Sequence, residues 1–356
     1  MNRPTRFASV DALRGLTVAA MLLVNNPGDW AHVYAPLLHA PWHGVTPTDL
    51  IFPMFLFIVG VSIALGIVPR VERGDDRAAL TRTVLMRALR ILGLGMLLHL
   101  LAWWWLDAAH FRPWGVLQRI GLCFLLVGAM AVWWTPRMQR WALLALLLGY
   151  AALLQGGGSL LPWHNLASRI DTALLGPLLY QFDPATGLGH DPEGLPSTLG
   201  ALASTLLGLR AGERLRRGDT ASLWWGGAAG VALGVLWSGW LPLNKNLWTS
   251  SYVLFSGGVS LLLLAAFHRW VDLRGHAPVG RAFGVNAIAA YAGSALMVYA
   301  LAGLGAWEPL YRHGFADWIA PWAGERAASL AFASAFVAFW WALVRAMDRR
   351  GLHLKI

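Results

Sequence analysis

The sequence has 356 residues, 57% of them hydrophobic and only 13% charged, with a mean hydropathy of +0.53. A soluble domain carries about 25% charged residues, so an ordinary soluble enzyme is excluded and a polytopic membrane protein is expected, each span built from roughly 20 apolar residues. The formal net charge is +10, but the positive residues sit in short segments between apolar runs, which argues against nucleic acid as a partner and for the positive-inside pattern.

In chain order, a short basic stretch leads into a first helix expected over residues 10–25. No small-residue cleavage site follows it, so it is expected to be retained. Asp11 and Arg14, three residues apart, can pair on one face. Residues 24–53, VNNPGDWAHVYAPLLHAPWHGVTPTDLIFP, then gather Asn25, Asn26, Asp29, His32, His39, His43 and Asp49 without any Lys or Arg. A second helix is expected from residues 46–49 to 69, with Thr46 as N-cap, Pro47 at the first helical position and Asp49 in the first turn. Six arginines between residues 70 and 90 precede a third helix over 88–106. A turn over 107–114, a fourth helix over 116–134, a basic Arg137/Arg140 pair and a fifth helix over 141–154 follow. Residues 155–196, Gly-rich and with five prolines, are the one long polar segment. A segment of this length is usually functional or disordered. Its end, DPEGLPSTLGAL, runs into a sixth helix reaching Arg210. Further helices are expected over 222–241, 249–267, 284–305 and 326–347, the last after a Trp-rich loop.

The expected architecture is all-α: one transmembrane domain over residues 1–356 with about ten spans. Of the Lys and Arg, 21 fall on the side of the termini and 5 on the other. That bias sets both termini in the cytoplasm and leaves residues 24–53 and 155–196 outside it. Cys123, the lone cysteine, lies in an apolar run and reads as a core residue, with no disulfide to form.

Polar groups near or inside a membrane are costly and so are functional candidates. A neutral imidazole such as His39 is the usual general base near neutral pH. Asp49 is placed either to orient that imidazole or to cap the second helix. Asn25 and Asn26 either terminate the first helix or present amides to a reacting carbonyl or a sugar hydroxyl. The spacing of His32, His39 and His43 matches no metal-ligand motif, so no metal is expected. Gln118, Arg119, Glu193, Asn244, Lys245 and Asn246 are candidate substrate contacts. Arg14, Arg87, Arg90 and Arg281 are candidate phosphate ligands, against a plainer role as topology signals, and Asn286 joins that group as an intramembrane amide.

RFASVDALRGLTVAAMLLVNN followed by LLHAPWHGVTPTDLIFPMFLFIVG resembles the transmembrane heparan-α-glucosaminide N-acetyltransferase family and its bacterial glucosamine-acetylating relatives. GVLQRIGL, DPEGLPSTLGAL, PLNKNLWTSSYVLFSGG and FGVNAIAAYAGS extend the resemblance over nearly the whole chain, and the pattern from His39 to Asp49 is its most specific part. The resemblance implies a bacterial inner-membrane enzyme that moves the acetyl group of cytosolic acetyl-CoA to the amine of glucosamine or a terminal glucosaminide at the far side. It places the active-site histidine on His39, the helix-end asparagine on Asn25 and the helix-start aspartate on Asp49. The expected partners are the amino-sugar acceptor and the bilayer, with a homodimer left open. An acyltransferase acting on envelope polysaccharide and a secondary transporter for a sugar or organic anion are the competing readings. The absence of an internal repeat counts against the transporter.

Overall fold

A computed structural model describes residues 7–106 and 110–354. The basic residues Arg3, Arg6 and Lys355 and the expected turn around Asp107 lie partly or wholly outside those residues. Helix dominates. The elements are α1 (Ala8–Asn25), α2 (Ile51–Gly66), α3 (Val68–Glu72), α4 (Arg77–Trp105), α5 (Val116–Trp133), α6 (Pro136–Gly156), α7 (Leu166–Leu175), β1 (Gln181–Asp183), β2 (Leu188–His190), α8 (Thr198–Arg216), α9 (Thr220–Trp237), α10 (Ser250–Phe267), α11 (Arg281–Val285), α12 (Ala287–Gly303), α13 (Trp307–Tyr311), α14 (Asp317–Ala323) and α15 (Glu325–Arg349).

All ten expected helices are present, and their apolar windows explain why. Among the described residues, seven helices are long and apolar enough to cross a membrane, or eight if the α12–α14 pair, bent by 102°, counts as one span. The other two expected spans are helical but fall short of that standard. α8 carries Arg210, Glu213, Arg214 and Arg216 in its last turns, and the apolar run of α9 is diluted by four glycines.

Three segments differ from expectation. α4 begins at Arg77 and not near residue 88, because the Asp76 carboxylate accepts from the Ala78 and Ala79 amides and starts the helix earlier. The Trp-rich loop before the last helix is itself helical, forming α13, a π turn and α14. Trp307, Tyr311 and Phe315 anchor it edge-on against Phe332 of α15. The long segment 155–196 holds α7, N-capped by Asn165, and the antiparallel β1–β2 hairpin. That hairpin holds the two strands found among the described residues.

The largest core unites α2, α4, α5, α8 and α10 with parts of α6 and α12. α2 and α8 approach closely at Gly60 and Gly208, where an added methyl would meet the backbone of Thr205 and Leu209 on one side and of Phe57 on the other. Small residues allow such backbone contact between membrane helices. Leucines and tryptophans instead face outward, with Trp225 at 77% and Leu236 at 68% exposure on α9, as a surface meeting lipid requires.

Candidate active site

The chain between α1 and α2 is irregular because Pro27, Pro36, Pro41 and Pro47 interrupt helix formation. A single turn of 3-10 helix over Pro47–Leu50, N-capped by Thr46, carries Asp49. Asp49 is almost fully buried, at 1% exposure. Its Oδ2 accepts from the Thr46 amide at 2.9 Å, the Ala40 amide at 3.1 Å and the Thr46 hydroxyl at 3.1 Å. Its Oδ1 lies 2.7 Å from His39 Nδ1. The two roles open in the sequence therefore coexist: one carboxylate oxygen caps the turn and the other holds the imidazole. A carboxylate can only accept here, so His39 carries its proton on Nδ1 and keeps Nε2 as a lone-pair donor. The His39 side chain is 49% exposed.

The other histidines of this segment have their own partners. His32 Nδ1 is 2.6 Å from the Asp29 carboxylate, and His43 Nδ1 is 3.2 Å from the Asn244 side-chain amide. The His43 contact joins two distant loops. The Gly44 amide also donates to the Leu243 carbonyl at 2.8 Å, closing a parallel bridge between Gly44 and Asn244. Asn244 Oδ1 in turn accepts from the Leu247 amide. From another side, Trp42 Nε1 donates to the Leu160 carbonyl at 2.8 Å, and its ring meets His190 edge-on at 5.0 Å.

His39 opens onto a cavity of about 710 Å³. Its upper wall includes Trp30, His39, Trp42, Trp163 and Tyr180. It follows α1 inward from Asn25 to Thr17, eight residues or about 12 Å of helix. Phe55, Ile120, Ala287 and Tyr291 line its deeper part. Of the expected site residues, His39, Asn25, Glu193, Lys245 and Asn246 line this cavity, with Asp49 directly behind His39.

Arg119 does not line it. The residue is fully buried in α5, where its Nη2 donates to the Gly194 carbonyl at 2.9 Å and lies 2.5 Å from the Ser197 hydroxyl. It supports the DPEG turn from beneath, with its guanidinium 5.2 Å above the Trp248 ring. Gln118 is buried beside Met96, and Asn244 is a fully buried loop brace.

None of Arg14, Arg87, Arg90, Arg281 or Asn286 lines the cavity either. Arg14 lies one turn beyond Thr17 on α1 and bonds Asp11, Ser62 and the Gly284 carbonyl. Asn286 immediately precedes the cavity residue Ala287, and its side-chain oxygen accepts from the Leu354 amide. Arg281 pairs with Asp348 at 2.8 Å, and Arg87 covers the Phe124 ring.

Four residues of the cavity's surroundings were missed in the sequence. Arg112 grips Asp191 at 3.0 and 2.5 Å and Glu193 at 2.7 Å, and its guanidinium lies 4.6 Å over Tyr180. The Tyr180 amide also bonds Asp191, so hairpin and acidic turn share one anchor. Burial works against ionising Glu193, but Arg112 and then Lys245 outweigh it and hold the carboxyl below the usual carboxylate range. His190, bonded to Ser168, is pushed down to about 4 by burial and is neutral. The isolated Arg112 gave no signal of its own, because its partners lie 79 and 81 residues away.

Residues 6–172 match the family model described as "Heparan-alpha-glucosaminide N-acetyltransferase, catalytic". That segment is similar to the heparan-alpha-glucosaminide N-acetyltransferase family over just under half of the chain. The human protein named heparan-alpha-glucosaminide N-acetyltransferase is 29% identical over 358 aligned positions, covering 82% of this chain and 53% of the relative. The mouse protein of the same name is 28% identical, covering 81% and 53%. The chain thus spans about half the length of the curated relatives it matches. Within the matched segment lie Asn25, His39, Asp49 and Arg112. Glu193, Lys245, Asn246 and Ala287 complete the cavity from beyond it.

Proposed function

We propose that the chain is a membrane-embedded acetyltransferase that moves the acetyl group of acetyl-CoA to the amine of glucosamine or a terminal glucosaminide. The observation that carries this reading is the His39–Asp49 pair at the head of a cavity of about 710 Å³ that follows α1 inward from Asn25 to Thr17. Attack on a thioester needs a neutral amine, a held carbonyl and a stabilised oxyanion. His39 Nε2 takes the proton of the attacking amine, Asp49 holds the tautomer and the resulting imidazolium, and Asn25 donates to the thioester carbonyl. Glu193 and Asn246, on the opposite wall, contact the sugar, while Gln118, Arg119 and Asn244 shape that wall from behind.

The donor is a co-substrate that enters from the cytoplasm, its phosphates assigned to Arg14, Arg87, Arg90 and Arg281, with Asn286 at the junction below the cavity. The proximity of Arg14 and Asn286 to the deep residues Thr17 and Ala287 supports this direction. The charge bias supports both termini in the cytoplasm, and the family resemblance supports about ten spans in a bacterial inner membrane. The test is acetyl-CoA turnover by detergent-purified protein across a panel of amino sugars. Turnover with glucosamine that disappears in His39→Ala is the expected result, and no acceptor-dependent release of coenzyme A would overturn the reading.

A further inference from the structure

Lys245 is a cation on the cavity wall that no hydrogen bond or ion pair engages among the described residues. It lies on the PLNKNLW loop, which the Gly44–Leu243 and His43–Asn244 bonds fasten to the histidine loop. It lines the same cavity as His39 and Asn25. The carboxylates whose charge it feels are Glu193 and then Asp49. Both are engaged elsewhere. Glu193 is held by Arg112 at 2.7 Å. Asp49 is filled by His39, Thr46 and Ala40. Among the described residues, no hydrogen bond or ion pair reaches the Lys245 ammonium. A cavity that holds an ammonium with unfilled hydrogen-bond donors is complementary to negative charge brought or developed by a ligand.

We propose that Lys245 is a catalytic residue, whose ammonium stabilises the negative charge that develops on the thioester oxygen and then on the departing sulfur. This rests on the acetyltransferase reading and assigns its electrostatic step. The lone pair of the neutral amine forms the N–C bond, and the carbonyl π pair moves onto oxygen. The amine proton passes to His39 Nε2. Collapse reforms C=O and breaks C–S, with the bonding pair leaving on sulfur. The thiolate then takes the proton held by the His39 imidazolium. Lys245 keeps its three protons throughout, so amine and acetyl thioester become amide and thiol with no further reactant. Burial lowers the pKa of the Lys245 ammonium below the ordinary lysine range, and Glu193 opposes that shift. An ammonium held so is a stronger hydrogen-bond donor to an oxyanion or thiolate.

The test compares Lys245→Met and Lys245→Arg with the wild-type full chain in detergent. Loss of one oxyanion donor costs about 10²–10³ in kcat. Lys245→Met should therefore lose kcat by that factor, with the KM values for donor and sugar each within about threefold. Lys245→Arg should recover at least tenfold of the loss. A rise in the sugar KM at unchanged kcat would overturn the proposal and make Lys245 an acceptor contact only. A second readout needs no turnover: the thiol of bound coenzyme A, followed by its thiolate absorbance, should ionise at lower pH on the wild type than on Lys245→Met. Identical titrations would refute the charge role even if acetyl transfer is confirmed. A shifted titration without transfer to any amino sugar would uphold the charge role and place the failure in the acceptor assignment.

Discussion

Asp49→Asn changes one atom and separates the two functions of this side chain. Oδ2 accepts from three donors and Oδ1 meets only His39. An asparagine will therefore keep its oxygen at the Oδ2 position, where an NH2 group would face two amide donors. Its NH2 then points at His39 Nδ1 and requires that nitrogen to accept. The imidazole proton moves to Nε2, and the base disappears from the cavity. The equivalent exchange beneath the histidine of a serine-protease triad costs about 10⁴ in kcat. A loss of about 10³–10⁴ is expected here, or about 4–5.5 kcal/mol of barrier at 1.36 kcal/mol per decade. The cap bonds at Oδ2 survive, so stability should change by no more than about 1 kcal/mol. The assay is glucosamine-dependent release of coenzyme A, with thermal unfolding in the same detergent. A variant that folds and turns over within tenfold of wild type would show that Asp49 only caps the turn.

His39→Ala should abolish transfer while leaving the unfolding midpoint within a few degrees, since a half-exposed loop imidazole adds little to helix packing; residual transfer near the wild-type rate would remove it from the mechanism. A cysteine placed at Gly187 should label from outside the cell and a reporter after Ile356 should read cytoplasmic; the reverse result would invert the charge-based orientation. In sealed, oriented vesicles, acetyl-CoA should support transfer from the cytoplasmic face alone, and equal activity from the outer face would move the donor site into the outer loops. Asp171 is pushed up to about 7 by burial, against the hydrogen bond from the Leu195 amide and with Asp191 adding to the rise. Its folded value lies above the unfolded 3.8, so its contribution is full below about pH 3.8 and is lost as the pH rises through 7. Asp171→Asn should therefore be more stable than wild type at pH 8, by up to about 4 kcal/mol, and nearly equal at pH 4. Unfolding midpoints whose gap does not widen with pH would show that Asp171 does not ionise within the fold.

The helices were legible because each carries its own apolar run. His39, Asn25 and Asp49 were legible because one short segment holds all three, and Thr46-Pro-x-Asp states its own helix start. What failed is non-local. The segment 307–323 is rich in Trp and broken by Pro309, Gly314 and Pro321, and so reads as loop, yet its rings find Phe332 and order it as helix. Arg119 looked available for an anionic ligand because no acid lies near it in sequence. The fold instead engages its Nη2 with a carbonyl and a hydroxyl from 75 and 78 residues away. The Arg112–Asp191–Glu193 anchor was invisible for the same reason.

The bridge between Gly44 and Asn244 bears on how the protein is made. Membrane helices insert as synthesis proceeds, and residue 44 waits for some two hundred further residues before its partner arrives. Until then the histidine loop lacks the bonds from His43 and Gly44 to the second loop. A nascent chain stalled after α8 would display the whole histidine motif while missing Lys245, Asn246 and Ala287 from the opposite wall. The wall that carries Lys245 and Asn246 can therefore close over the histidine loop only after the PLNKNLW loop has been made, and the Ala287 wall later still.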